Sequence, residues 1–157
     1  MTDVYDVHSS GKYPCNILSN FSHHTFVFDD VLCHSMEGLL QSLKFKSIEE
    51  QTRVCLLIGY DAKRKGSQKS WITTGLWWRG VPIDRFDHIY QTFLDKIYLS
   101  LTLQSISFRR ALIATYGGEI IHSIGKSDRS VTILTEMEFV SRLTILRNLI
   151  VDGIIEM

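Results

Sequence analysis

The chain has 157 residues, 45% of them hydrophobic and 22% charged, with 17 basic side chains against 17 acidic ones. That length supports one domain with a real core and is too short for two, and the zero net charge excludes bulk attraction to nucleic acid or to an anionic membrane. One local basic run, Lys63, Arg64, Lys65 and Lys69, reads either as solvated helix surface or as a nucleic-acid patch. Cys15, Cys33 and Cys55 are an odd count without paired metal-ligand spacing, so free thiols in a reducing compartment are expected. The first residues lack a basic segment leading into an apolar run, and no stretch approaches the roughly 20 apolar residues of a membrane span. A cytoplasmic protein is expected, with no membrane partner.

Residues 1–16 are polar and broken by Gly11 and Pro14, which predicts an irregular lead-in to Ile17–Phe21. Thr25–Phe28 and Val31–His34 flank Asp29-Asp30 and predict a small N-terminal β-hairpin. The hairpin delivers the chain to Ser35, a suitable cap for an amphipathic helix over His34–Lys46. Glu37, Gln41 and Lys44 recur at i, i+4 and i+7 and share one helical face, which fits a solvated face as well as a site. Ser47 and Glu50 have capping-box spacing and open a helix that Gly59 should end. A short helical piece is expected over Asp61–Gly66. The connector Gly66–Pro82 holds Trp71, Trp77 and Trp78, which serve equally as core anchors or as a binding platform. Phe86, Ile89, Phe93, Ile97 and Leu101 predict a long helix to about Leu103, and a second covers Ser105–Tyr116, stopped by Gly117-Gly118. Glu119–Ile124 reads as a strand, 125–130 as a polar loop, and Thr135-x-x-Glu138 opens the last helix. The class is mainly α, in one domain over 1–157.

The six histidines do not group with cysteine or carboxylates at ligand spacing, so no metal is assigned. Walker, dinucleotide-binding and Gly-x-Ser-x-Gly signatures are missing too, and no cofactor is implied.

Five spaced segments, in order, carry a family resemblance: Ser19-Asn20-Phe21; Ser35-Met36-Glu37 through Gln41 to Lys44-Phe45; Trp77-Trp78 to Pro82-Ile83-Asp84-Arg85; Phe108-Arg109-Arg110-Ala111-Leu112 to Thr115; and His122-Ser123-Ile124-Gly125-Lys126-Ser127-Asp128. From Ile17 to Leu146 the chain resembles the NADAR (YbiA-like) family, in the branch found in bacteria and large tailed phages. The resemblance implies a compact multihelical fold and an N-glycosidase that cleaves between a nitrogen and the anomeric carbon of ribose. Its implied substrates are ADP-ribose on modified guanine in DNA or ribosylamino intermediates of riboflavin synthesis, so DNA carrying ADP-ribosylated guanine is one candidate partner. A protein that binds ADP-ribose or another nucleotide without turnover is the alternative. If phage-encoded, it would act in the host cytoplasm.

By position, Glu37, Lys44 and Asp128 match the family's catalytic residues, and Trp78 its active-site tryptophan, with Trp71 as the fallback. Ser19, Asn20, Phe21, Gln41 and Arg85 are expected to contact substrate. Two departures stand out: Asp128 leads into Arg129-Ser130 rather than Trp-Gly, and Gly38 replaces the usual histidine, which should loosen the helix by roughly 0.5–1 kcal/mol. The chemistry is coherent, since positive charge develops at the anomeric carbon and a carboxylate such as Glu37 can stabilise it or move a proton. Lys44 fits two roles: an amine that forms a Schiff base with the opened sugar, or a salt-bridge partner that orients Glu37.

Overall fold

The computed structural model describes residues 2–157. Its first half runs β1 (Val4–Asp6), α1 (Cys15–Leu18), β2 (Phe26–Phe28), β3 (Val31–Cys33), α2 (Met36–Ser42), α3 (Ile48–Cys55), α4 (Gly59–Ser67) and α5 (Trp71–Thr74). There follow β4 (Leu76–Trp78), β5 (Val81–Ile83), α6 (His88–Gln104), α7 (Ile106–Ala114), β6 (Glu119–Ile121) and α8 (Glu136–Val151). The architecture is mainly α, with three two-stranded sheets among the described residues.

The core forms around α6, whose Tyr90, Leu94, Ile97, Tyr98 and Leu101 are buried at spacings that return to one helical face. Phe108, Ala111 and Leu112 of α7, and Phe139, Leu143, Leu146 and Ile150 of α8, close on the same cluster. Polar side chains start these helices: Asp87, Ser105 and Thr135 each accept a bond from a backbone N–H of the first turn. At Thr135 the reciprocal box with Glu138 is complete. At Ser47 only half of it exists, because the Glu50 carboxylate turns to Lys65 at 3.3 Å.

Several boundaries differ from expectation. The lead-in is not irregular throughout: β1 pairs in parallel with β6, Tyr5 opposite Ile120, and α1 follows. No local pattern reveals a strand whose partner lies over 100 residues away. The hairpin β2–β3 turns through Asp29 and Asp30, both at positive φ. A second hairpin, β4–β5, occupies the tryptophan connector and turns at Arg79 (φ 52°) and Gly80 (φ 83°). Two-residue turns of this kind match strand twist, so Leu76-Trp77-Trp78 against Val81-Pro82-Ile83 is legible once Arg79-Gly80 is taken as the turn. Gly59 does not end α3, which stops at Cys55; at φ 52° it begins α4 instead.

Helix α2 is wedged between neighbours that require small residues. A Cβ on Gly38 would lie 2.5 Å from the carbonyl oxygen of Leu57 and 2.9 Å from that of Val54. Gly38 therefore permits close approach by the end of α3 rather than loosening the helix. Ser35 Oγ ties the same junction, accepting from Gly38 N at 2.9 Å and donating to Leu57 O at 2.8 Å.

Candidate active site

A cleft of about 360 Å³ opens between α2 and the segment 122–134, lined also by His8-Ser9, Ser19–Phe21, Tyr60, Lys63 and Trp71. Glu37, Gln41 and Lys44 face into it. Helix α2 ends at Ser42, so Lys44 is not part of the seven-residue helical repeat expected for it. It reaches the cleft through tight turns in which Lys44 N donates to Gln41 O and Phe45 N to Ser42 O. Gln51, buried on α3, secures that turn: its Nε2 donates to Ser42 O at 3.0 Å and Trp77 O at 2.8 Å, while its Oε1 accepts from Arg79 N. Sequence reasoning did not single out Gln51, because its partners are backbone atoms of distant segments.

Glu37 is half-buried, and its Oε1 accepts a bond from Gln41 Nε2 at 2.8 Å. Burial raises its carboxyl above the ordinary range, against the opposing pull of Gln41, Lys63 and Lys44. Lys44 is displaced the other way: burial lowers it, Glu37 partly restores it, and Lys126 and Lys63 lower it further. No carboxylate oxygen lies within 4.0 Å of Lys44 Nζ among the described residues, so Glu37 and Lys44 share the cleft without a direct salt bridge. Both groups are thus moved toward their neutral forms, the arrangement that proton transfer or amine chemistry near neutrality requires.

The cleft floor is tied to α2 through Asn20, whose backbone oxygen accepts from Glu37 N at 2.9 Å. Its Oδ1 accepts from the buried Tyr98 hydroxyl at 2.8 Å, and among the described residues its Nδ2 makes no hydrogen bond. Ser19 Oγ accepts from Phe21 N at 3.2 Å and shapes the bend. Phe21 meets Tyr60 edge-on at 5.0 Å, giving an aromatic side to the cleft together with Trp71. Lys63 and Lys126 join Lys44, so three amines face one carboxylate, Glu37. In sequence Lys63 stood out only as part of the basic run with Arg64, Lys65 and Lys69, and Lys126 only within the segment His122–Asp128.

Three expected site residues lie elsewhere. Trp78 packs on Phe28 and Phe93, at centroid distances of 5.5 and 5.7 Å, and its Nε1 donates to Asp29 Oδ2. It locks the two hairpins to α6, and Trp71, the fallback, lines the cleft. Arg85 is buried, with its fork on both Glu138 oxygens at 3.0 and 2.7 Å, its Nε on Thr132 O, and its guanidinium 4.6 Å above the Tyr90 ring. Burial pushes Glu138 up, but bonds from Arg85, Thr135 N and Gln91 outweigh it and leave the carboxyl lowered. Arg85 therefore braces the segment forming the far wall, its fork held by Glu138. Asp128 sits on an exposed loop, its carboxylate accepting from Ser130 N and Oγ at 2.9 and 2.8 Å, which lowers it. The chain leaves 128 into Arg129-Ser130, so the aspartate caps its own turn outside the cleft.

Comparison with known proteins agrees with this architecture. E. coli YbiA, solved by NMR, superposes with a TM-score of 0.63 at 15% identity, covering 100% of this chain and 90% of that one; the two share a fold. No helix among the described residues is long and apolar enough to cross a membrane. The uncharacterized 17.1 kDa protein of the Gp30-rIII intergenic region of Enterobacteria phage T4 is 34% identical over 146 residues, spanning 91% of this chain and 96% of the relative. The family model described as bacteriophage protein GP30.3 matches residues 12–148, and the chain belongs to that family.

Proposed function

We propose that the cleft is the active site of an N-glycosidase that hydrolyses an N-ribosyl bond, either ADP-ribose on modified guanine in DNA or a related ribosylamine, in the host cytoplasm. The observation that carries this reading is the pairing of Glu37 and Lys44 in one cleft, each displaced by burial toward its neutral form. A carboxyl that burial makes hold its proton more tightly can donate to the departing nitrogen as the C1–N bond breaks, and its carboxylate then faces the cationic sugar. Lys44, whose amine burial makes easier to deprotonate, can in its neutral form attack C1 of the opened sugar, forming a Schiff base that water later releases. Lys63 and Lys126 suit phosphate oxygens, Trp71 and Tyr60 offer faces for a base, and Asn20 Nδ2 suits a ribose hydroxyl.

Those lysines and aromatic faces would also serve a nucleotide-binding protein without turnover. The test is incubation with ADP-ribosylated DNA and with phosphoribosylamines, followed by mass-spectrometric detection of released base. Product from at least one substrate is expected. Binding of ADP-ribose with no product from any substrate would favour the binding protein.

A further inference from the structure

We infer that His122 is a second proton-transfer residue of the cleft, accepting the proton of the attacking water through Nε2. This rests on the N-glycosidase reading.

The argument begins with a hydrogen bond. His122 Nδ1 lies 2.6 Å from the carbonyl oxygen of Val7. A carbonyl oxygen can only accept, so Nδ1 carries the hydrogen and the neutral ring presents a lone pair at Nε2. Among the described residues Nε2 makes no hydrogen bond, and His122 lines the cleft. The ring is also held in place. It meets Phe139 of α8 edge-on at 5.1 Å, and its Cδ2 edge packs so closely on Gly125 that a Cβ there would lie 2.6 Å away. A histidine needed only for packing would gain nothing from an acceptor nitrogen left without a bond on a ring that lines the cleft. A backbone-fixed tautomer with the other nitrogen open to the site is the arrangement a general base requires.

The charged groups around the ring come from several elements. Asp6 and His8 lie on the β1 side, Lys126 on its own loop, Glu136 on α8 beside Gly125, and Glu37 and Lys44 on the α2 side. Asp6 is occupied by Ser123, accepting from both its N and its Oγ, so the bond to Val7 O does the orienting. In the step, a water proton passes to Nε2 and the water oxygen bonds to C1. The C1–N electron pair goes to the leaving nitrogen, which takes the proton of the Glu37 carboxyl. The same base serves water addition to a Lys44 iminium. Glu37 and His122 then act as acid and base from separate walls.

Side-chain geometry supplies the discriminating variant. Asn can keep the donor to Val7 O, because its Nδ2 overlays histidine Nδ1, but it has nothing at the Nε2 position. His122→Asn should retain the thermal midpoint while kcat falls about 10²- to 10⁴-fold, and its remaining activity should lose the acidic limb of the kcat/KM profile. Imidazole should partly rescue His122→Ala. Wild-type kcat and an unchanged acidic limb in His122→Asn would overturn the inference. Nitrogen-15 NMR of the wild type decides the matter independently of turnover. A neutral ring protonated at Nδ1, with an Nε2 shift that moves when ribose 5-phosphate is added, is expected; protonation at Nε2 would overturn the assignment. Absence of product from any N-riboside would instead defeat the N-glycosidase reading, with the NMR result still deciding the role of the ring.

Discussion

Gln41 donates from Nε2 to Glu37 Oε1 at 2.8 Å, one helical turn away, while its own Oε1 is buried against Gly66 with no partner among the described residues. The bond holds the Glu37 carboxyl down against the larger effect of burial. Gln41→Leu should therefore raise it further and move the basic limb of kcat/KM to higher pH, since the acid form persists longer. Gly66→Ala should do the same from the opposite side, because its Cβ would fall 1.8 Å from Gln41 Oε1 and displace the amide. It should also cost about 1–3 kcal/mol of stability. A pH–rate profile identical to wild type in both variants would show that the amide does not govern Glu37.

Glu37 also links activity to stability. Its folded-state carboxyl is raised above the ordinary value of 4.5, so the folded chain binds that proton more tightly than the unfolded one. The stabilisation is fully present below the unfolded value and is lost as pH rises through the folded one. Glu37→Gln removes the charge while keeping an acceptor for Gln41. Its thermal midpoint should exceed that of wild type near pH 8, and the gap should close below about pH 4. Calorimetry across that range checks the sign.

Gly38→Ala sets helix propensity against packing. Propensity alone favours alanine by roughly 0.5–1 kcal/mol, yet the added methyl would meet the backbone oxygens of Leu57, Val54 and Cys55, at 2.5, 2.9 and 3.0 Å. Backbone gives less readily than a side chain, so a net loss of about 1–3 kcal/mol is expected. Urea unfolding would show a lower midpoint; a higher one would mean that α2 and α3 are less tightly apposed.

The two tryptophans should separate binding from folding. Trp71→Ala removes a ring from the cleft and should raise KM about five- to 150-fold, the equivalent of about 1–3 kcal/mol of base stacking. Trp78→Ala should cost about 3–5 kcal/mol of stability by opening the hairpin–α6 junction, with KM little changed in the protein that remains folded. Asp128→Asn should leave kcat and KM near wild type. Steady-state kinetics beside thermal melts distinguish these outcomes.

Much of this was legible from local pattern. The core faces of α7 and α8 follow from 3.6-residue spacing, and Ser105 and Thr135 mark their starts; on α6 the expected stripe holds at Ile97 and Leu101, but Phe86 and Ile89 are exposed and Tyr90, Leu94 and Tyr98 are buried instead. Glu37, Gln41 and Lys44 stood together in sequence, although Lys44 arrives by a turn beyond the helix. What pattern missed depends on contacts distant in sequence. β1 is a strand only because β6 pairs with it, Gly38 is required only because α3 ends against it, and Gln51 matters through the backbone of Ser42 and Trp77. Arg85 was expected at substrate through the Pro82-Ile83-Asp84-Arg85 resemblance, whereas Glu138, a cap residue 53 positions away, holds its fork.

The most direct test of the central claim compares wild type with Glu37→Gln on ADP-ribosylated DNA and on phosphoribosylamines, measuring released base under single-turnover conditions. The account predicts release by wild type and a loss of at least about 10²-fold in Glu37→Gln, with ADP-ribose binding retained and the fold intact by melting. Equal release by the two proteins would contradict it.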